Sequence, residues 1–281
     1  MYMLGEYLKR MVRYVLKGQP EIIVRPSIFT IQSGKTLKNK VVLITGGNKG
    51  LGFAIAKKCI SEEAHVILVG RDVNSLKSAC DELGEQAKWL QYDISDSDHC
   101  RDLLESAEKI SGKEITTLVN SAGVSFHEGS FNFVTQDGWD RQFQINLKGT
   151  YFLTKAFAEY CTEKRIQNAG VVILSSERGL YGDDIPYGLT KAALNSFIKG
   201  MARRVLMQDI RINGIAPGVT ATEMTGVKKD DNLYREASCG KRVFLPEEVA
   251  EVGAFLISDA SKCITGEIIA CNQGNHLRSD W

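Results

Sequence analysis

The chain has 281 residues, room for one large α/β core but little for two, and its 43% hydrophobic and 25% charged content excludes disordered and collagen-like chains. With 35 basic against 34 acidic side chains, a net charge of +1 offers no field to gather nucleic acid, and no nucleic-acid partner is expected. The seven cysteines are scattered without a Cys-x-x-Cys pair and the four histidines stand apart, so free thiols in a reducing, cytoplasmic setting are expected and a metal site is not.

The first predicted element is an amphipathic helix over Met3 to Lys17. Leu4, Leu8, Met11, Val12 and Val15 line one side, with Glu6, Lys9, Arg10, Arg13 and Lys17 on the other. Such a basic face can lie on an anionic membrane, although packing on the domain or on a second subunit is the commoner fate. Two prolines and Gly34 follow, so residues 1–36 are expected to form an extension and 37–281 the domain. The first residues carry too many charges for a secretory signal, and no apolar run reaches the roughly 18 residues of a membrane span.

From Lys40 onward, short Val/Ile/Leu runs alternate with longer amphipathic stretches, the βαβα pattern of a parallel sheet covered on both faces. Strands are expected at Val41 to Thr45, His65 to Val69, Lys88 to Tyr92, Ile115 to Asn120, Gly170 to Leu174, Ile210 to Ala216 and Glu267 to Cys271. Helices are expected at Phe53 to Ser61, Asn74 to Leu83, Ser97 to Ile110, Arg141 to Lys164 and Tyr187 to Met207. A further helix starts at Pro246, with Glu247 and Glu248 facing the positive end of its dipole.

Between the first strand and the first helix of this series runs Thr45-Gly-Gly-Asn-Lys-Gly-Leu-Gly52. Glycines at 46, 50 and 52 let the turn tighten and the backbone approach a ligand, while free N–H groups at the helix start favour a phosphate. The spacing is Gly-x-x-x-Gly-x-Gly rather than Gly-x-Gly-x-x-Gly, and a purely structural turn is the alternative. The second strand ends Leu68-Val69-Gly70-Arg71, where an acid would bind a free ribose 2′-hydroxyl. Gly70 stands in its place. Arg71, with Lys49 approaching the same phosphate, favours NADPH over NADH, unless Asp72 neutralises Arg71 as a surface pair.

On a helix, Tyr187 and Lys191 stack one turn apart on the same face. A free phenol titrates near ~10, and a neighbouring ammonium is expected to lower that value and make a proton donor or acceptor near neutrality. The spacing alone is a weak signal, since such pairs commonly decorate surfaces.

Taken together, Thr45 to Gly52, Asn120-Ser-Ala-Gly123, Asn146, Ser175-Ser176, Tyr187-x-x-x-Lys191 and Pro217-Gly218 resemble the short-chain dehydrogenase/reductase family over about residues 38–276. The resemblance implies a Rossmann-type, doubly wound parallel sheet of about seven strands, usually in dimers or tetramers, and hydride transfer between a nicotinamide and a carbonyl or alcohol. It implies Tyr187 as general acid, Lys191 as the residue that lowers its pKa and binds the nicotinamide ribose, and Ser176 as the donor to the substrate oxygen. Asn146 would hold a water linking Lys191 to solvent. The implied cofactor residues are Gly46, Asn48, Lys49, Gly50, Leu51 and Gly52 on the turn, with Arg71 at the ribose. Asp93 and Ile94 are implied at the adenine, Asn120, Ala122 and Gly123 along the adenosine, and Pro217, Gly218, Val219 and Thr222 around the carboxamide. Three features depart from the pattern: a shortened loop at Asp183-Asp-Ile-Pro186, a last strand ending Cys271-Asn-Gln-Gly274, and the N-terminal extension.

The substrate segments are Val124 to Gly129, Glu177 to Asp184 and Thr222 to Leu245. His127, Glu177, Arg178, Asp183 and Asp184 beside Tyr181 make a polar rim that suits a sugar or polyol, if these side chains face the pocket rather than water. The leading expectation is an NADPH-dependent carbonyl reductase, with NADH possible, acting on a small molecule as a homodimer or homotetramer. A 3-oxoacyl thioester reductase is the alternative, with Lys228, Lys229, Lys241 and Arg242 meeting an acidic carrier. A nucleotide-binding scaffold is the rival from another class, opposed by the presence of all four catalytic residue types.

Overall fold

In the computed structural model, which describes residues 34–277, the apolar runs become seven strands. These are β1 Val41–Thr45, β2 His65–Gly70, β3 Ala87–Gln91, β4 Thr117–Asn120, β5 Ala169–Leu174, β6 Ile210–Pro217 and β7 Ile268–Cys271. All pair in parallel, in the order β3-β2-β1-β4-β5-β6-β7. The order reverses direction between β1 and β4, and a crevice opens at such a switch point beyond the strands' carboxyl ends.

The helices are α1 Gly50–Ser61, α2 Val73–Leu83, α3 Cys100–Ser111, α4 Gln136–Gln142, α5 Thr150–Lys164, α6 Pro186–Arg204 and α7 Pro246–Ile257. They cover both faces, which explains the unbroken apolar runs of the central strands. Val41 and Leu43 point into one core, with Leu104 of α3, Phe157 of α5 and Ile198 of α6. Val42 and Ile44 point into the other, with Ile55 of α1, Leu76 of α2 and Val249 of α7. Period-two alternation therefore feeds two hydrophobic layers instead of one layer and solvent.

Several boundaries depart from expectation. β4 starts at Thr117 because the Ile115 N–H donates to the Tyr160 hydroxyl at 3.1 Å instead of to a strand. α1 starts at Gly50, inside the glycine turn, with Lys49 extended before it. α3 starts at Cys100, since Asp93 and Asp96 fold the preceding residues into turns, accepting from the Ser95 and Asp98 amides. α6 ends at Arg204, and a short 3₁₀ turn at Leu206–Gln208 leads to Asp209 in the left-handed region. The helix expected from Arg141 begins at Gln136, where the Thr135 hydroxyl accepts from the Gly138 amide at 3.0 Å. It then widens to a π-helical stretch over Phe143–Gly149 before α5. As expected, Pro246 opens α7, and the Glu248 carboxylate accepts from the Leu245 amide at 2.8 Å.

The helix expected over Met3 to Lys17 lies outside the described residues. Among those described, no helix is long and apolar enough to cross a membrane.

Candidate active site

The glycine turn lies directly beyond β1 and leads into α1. Gly46 sits at φ +64°, and a Cβ on Gly52 would lie 2.4 Å from the Gly46 carbonyl oxygen, so the turn closes only without side chains at these places. The Thr45 hydroxyl accepts from the amides of Ser121 and Ala122 at 3.1 and 3.2 Å, tying the loop after β4 to the end of β1. A groove of about 250 Å³ runs from this turn past Gly70 and Arg71, with Asp93, Ile94, Ala122 and Gly123 along it. A second hollow of about 150 Å³ continues it between Gly50, Leu51 and Thr222 to Tyr187 and Lys191. The cradle of small residues at a helix start suits the phosphates of a nucleotide.

Asn120 does not line either hollow. Its side chain is 2% exposed and donates to the Thr154 hydroxyl at 3.0 Å, which fixes the end of β4 against α5. Asn48 donates to the Ser75 hydroxyl at 2.8 Å and braces the turn against α2. Asp72 caps α2, accepting from the Asn74 and Ser75 amides, so it is occupied by the helix and not by Arg71. Arg71 lies 3.8 Å from Asp93 and its side chain is 61% exposed. The Lys49 ammonium pairs with Glu223 at 2.6 Å, on the segment after β6, while the residue also lines the groove that runs past Arg71.

Tyr187 and Lys191 stand on the first turns of α6, which Pro186 opens after the extended Ile185. Ser176 lies just beyond β5, where its hydroxyl accepts from the Arg178 amide at 3.2 Å, and it stands beside the Tyr187 phenol on the cleft wall. The Lys191 ammonium donates to the Leu174 carbonyl at 2.8 Å and lies 5.6 Å from the Tyr187 ring centre. Burial pushes the Lys191 pKa down to about 8. Tyr187 is shifted the opposite way from expectation. Burial pushes its phenol up, Glu177 adds to the rise, and the downward pulls come from Ser176 and Arg178 rather than from Lys191.

Asn146 sits in the π-helical stretch, where the extra residue per turn turns it toward Val124. Its Oδ1 accepts from the Val124 amide at 2.8 Å and its Nδ2 donates to the Val124 carbonyl at 2.9 Å. The expected water-holding amide is thus engaged with the backbone on both sides. Irregular helical turns of this kind concentrate at functional sites.

A cleft of about 730 Å³ opens beside Ser176 and Tyr187, and the polar rim expected from the sequence lines it: His127, Glu177, Arg178, Tyr181, Asp183 and Asp184. Pro217 ends β6 and leads to Gly218 and Val219, which also border this cleft. Asp183 is turned inward, its side chain 2% exposed, and receives both the Nε and, at 2.7 Å, the Nη2 of Arg178. Arg235, from the expected segment Thr222 to Leu245, also lines it, as does Asn275 beyond β7, which no local motif marked. No cluster among the described residues is arranged to hold a metal ion.

The family model described as enoyl-(acyl carrier protein) reductase matches residues 46–276. The 3-oxoacyl-[acyl-carrier-protein] reductase FabG of Salmonella typhimurium is 30% identical over 247 residues, covering 86% of this chain and 99% of its own. The 3alpha-hydroxysteroid dehydrogenase of Mediterraneibacter gnavus is 32% identical over 248 residues, covering 83% and 96% respectively. Among solved structures, 3-ketoacyl-(acyl-carrier-protein) reductase from Brucella melitensis complexed with NADH is similar at a TM-score of 0.77 and 26% identity, over 85% of this chain and 99% of that one. With the seven-stranded parallel sheet and its glycine turn already in view, these likenesses show that the chain belongs to the short-chain dehydrogenase/reductase family and is an oxidoreductase of C=O and CH–OH groups.

Proposed function

We propose that this chain is an NADPH-dependent reductase of a carbonyl on a polar small molecule of sugar or polyol type, or the dehydrogenase of its alcohol in reverse. The observation that carries this reading is the place of Tyr187, which borders both the polar cleft, beside Ser176, and the end of the cofactor groove. A bound nicotinamide supplies the hydride. The hydroxyls of Ser176 and Tyr187 converge on the substrate oxygen, so charge building there meets donors already in place. Burial keeps the Tyr187 phenol protonated, the form that donates. Lys191, anchored on Leu174, holds the ribose hydroxyls, and Asn146 acts by fixing Val124, which lines the cofactor groove next to Ser125 of the cleft.

Along the groove, the turn from Gly46 to Gly52 holds the pyrophosphate, and Asp93, Ile94, Ala122 and Gly123 enclose the adenosine. Pro217 to Val219 and Thr222 close around the carboxamide. Arg71 borders the groove where Gly70 takes the place of an acid at the end of β2, which favours NADPH and leaves NADH possible. With its exposed Tyr151 and Phe152, the surface of α5 and α6 supports a homodimer or homotetramer.

The second reading, a 3-oxoacyl thioester reductase, is favoured by the likeness to the Salmonella typhimurium and Brucella melitensis enzymes. The cations that would meet an acidic carrier are largely spent on neighbours: Lys229 on Glu247, Lys241 on Glu236 and Arg242 on Glu248. Turnover of NADPH with ketoses, diketones and 3-oxoacyl thioesters tests both readings. Reduction of hydroxylated carbonyls at higher kcat/KM supports the first, and a clear preference for the thioesters replaces it with the second.

A further inference from the structure

Glu177 follows Ser176 directly and is 6% exposed, and among the described residues no lysine or arginine pairs with its carboxylate. Its Oε2 accepts from the side-chain amides of Asn272 and Asn275, each at 3.1 Å. Both amides have their orientation set from behind. Asn272 Oδ1 accepts from the Gly274 amide at 3.2 Å and from His276 Nδ1 at 3.0 Å, and Asn275 Oδ1 accepts from the Cys239 amide at 3.2 Å. The two asparagines are 1% and 5% exposed. Gly218 leaves the room they need, since a Cβ there would lie 3.0 Å from that of Asn272 and 3.2 Å from Glu177 Oε2. The unusual end of β7, Asn272 to Asn275, is therefore the seat of this one carboxylate.

Oε1 takes no hydrogen bond from the described residues, and Glu177 lines the cleft beside Ser176 and Tyr187. The Ser176 and Tyr187 hydroxyls are the donors for the reacting oxygen, whereas a carboxylate only accepts. Its partner is thus a neighbouring substituent. We propose, resting on the reductase reading above, that Glu177 is a specificity-determining residue whose Oε1 accepts from a hydroxyl on the carbon next to the reacting carbonyl. It selects α-hydroxy ketones, or vicinal diols in reverse, over plain ketones and 2-oxo acids. A plain ketone strips water from the oxygen without replacing the bond, and a 2-oxo acid brings like charge against it. Burial does most to raise the pKa values of Tyr181 and Tyr187, and Glu177 adds to both, a sign of how near it lies to the reacting centre.

The test compares three carbonyls of similar size with NADPH: hydroxymethyl ethyl ketone, diethyl ketone and 2-oxobutanoate. A site built around a substrate hydroxyl should favour the first over the second by about 100-fold or more in kcat/KM. In Glu177→Gln, the amide oxygen must take the place of Oε2 to satisfy Asn272 and Asn275, which turns an NH₂ donor toward the cleft. The preference for the hydroxy ketone over diethyl ketone should then fall at least about tenfold, and 2-oxobutanoate should gain. Equal use of hydroxy ketone and plain ketone by the native protein, or an unchanged ratio in the variant, overturns the proposal and leaves the reductase reading standing. Absence of turnover with every carbonyl overturns both.

Discussion

The ammonium of Lys191 is tied to the carbonyl of Leu174 at 2.8 Å, so the last residue of β5 and the second turn of α6 share one buried hydrogen bond. That bond only partly offsets the loss of water, and the Lys191 pKa stands at about 8 against an ordinary 10.5.

Between these two values the unfolded chain holds a proton that the folded chain has released, so folding stability contributed by this group rises with pH. Below pH 8 the folded state carries the cost of a buried cation. Urea unfolding of the native protein and Lys191→Met should show their stability difference moving in favour of the native protein by roughly 3 kcal/mol from pH 7 to pH 10.5. A difference that stays flat with pH contradicts the assignment.

Tyr187→Phe removes one hydroxyl at the meeting of cleft and groove. Turnover should drop by about 10³-fold or more, with nucleotide affinity by fluorescence titration changed little. Because burial raises the phenol's pKa, reduction by the native protein should show no loss from Tyr187 ionisation below the ordinary tyrosine range near ~10. Full turnover in the variant would remove Tyr187 from the chemistry.

Asn146→Leu leaves both polar groups of Val124 without their side-chain partner. Stability should fall by about 1–3 kcal/mol in chemical denaturation. The KM for substrate should rise as the Val124 to Gly129 segment loosens.

Arg71→Ala should weaken NADPH use by about tenfold in kcat/KM, the worth of one charged hydrogen bond to phosphate, with NADH use unchanged. Equal losses for the two nucleotides would show that Arg71 shapes the loop and does not read the phosphate.

The sheet was legible because Val41 to Ile44 feed two cores, and only a strand covered on both faces reads as an uninterrupted apolar run. The turn from Gly46 to Gly52 and the Tyr187–Lys191 pair were legible because each acts within one or two turns of chain. What escaped were relations across long separations. Glu177 meets amides 95 and 98 residues away, and Lys49 meets an acid 174 residues away, which local spacing does not encode. The widened turn around Asn146 escaped for another reason: one extra residue in a helix leaves the apolar periodicity almost unchanged. The direction of the Tyr187 shift was missed because spacing reveals a neighbour's charge but not how much water the fold removes.

The Lys49–Glu223 pair joins the rim before α1 to the rim after β6, on opposite banks of the hollow that leads to Tyr187. Both side chains are more than half exposed, so dissolved ions compete for them directly. A dinucleotide entering or leaving this passage should therefore meet a fastening whose strength the surrounding electrolyte sets. Stopped-flow release rates should climb with added salt in the native protein and lose that dependence in Lys49→Gln.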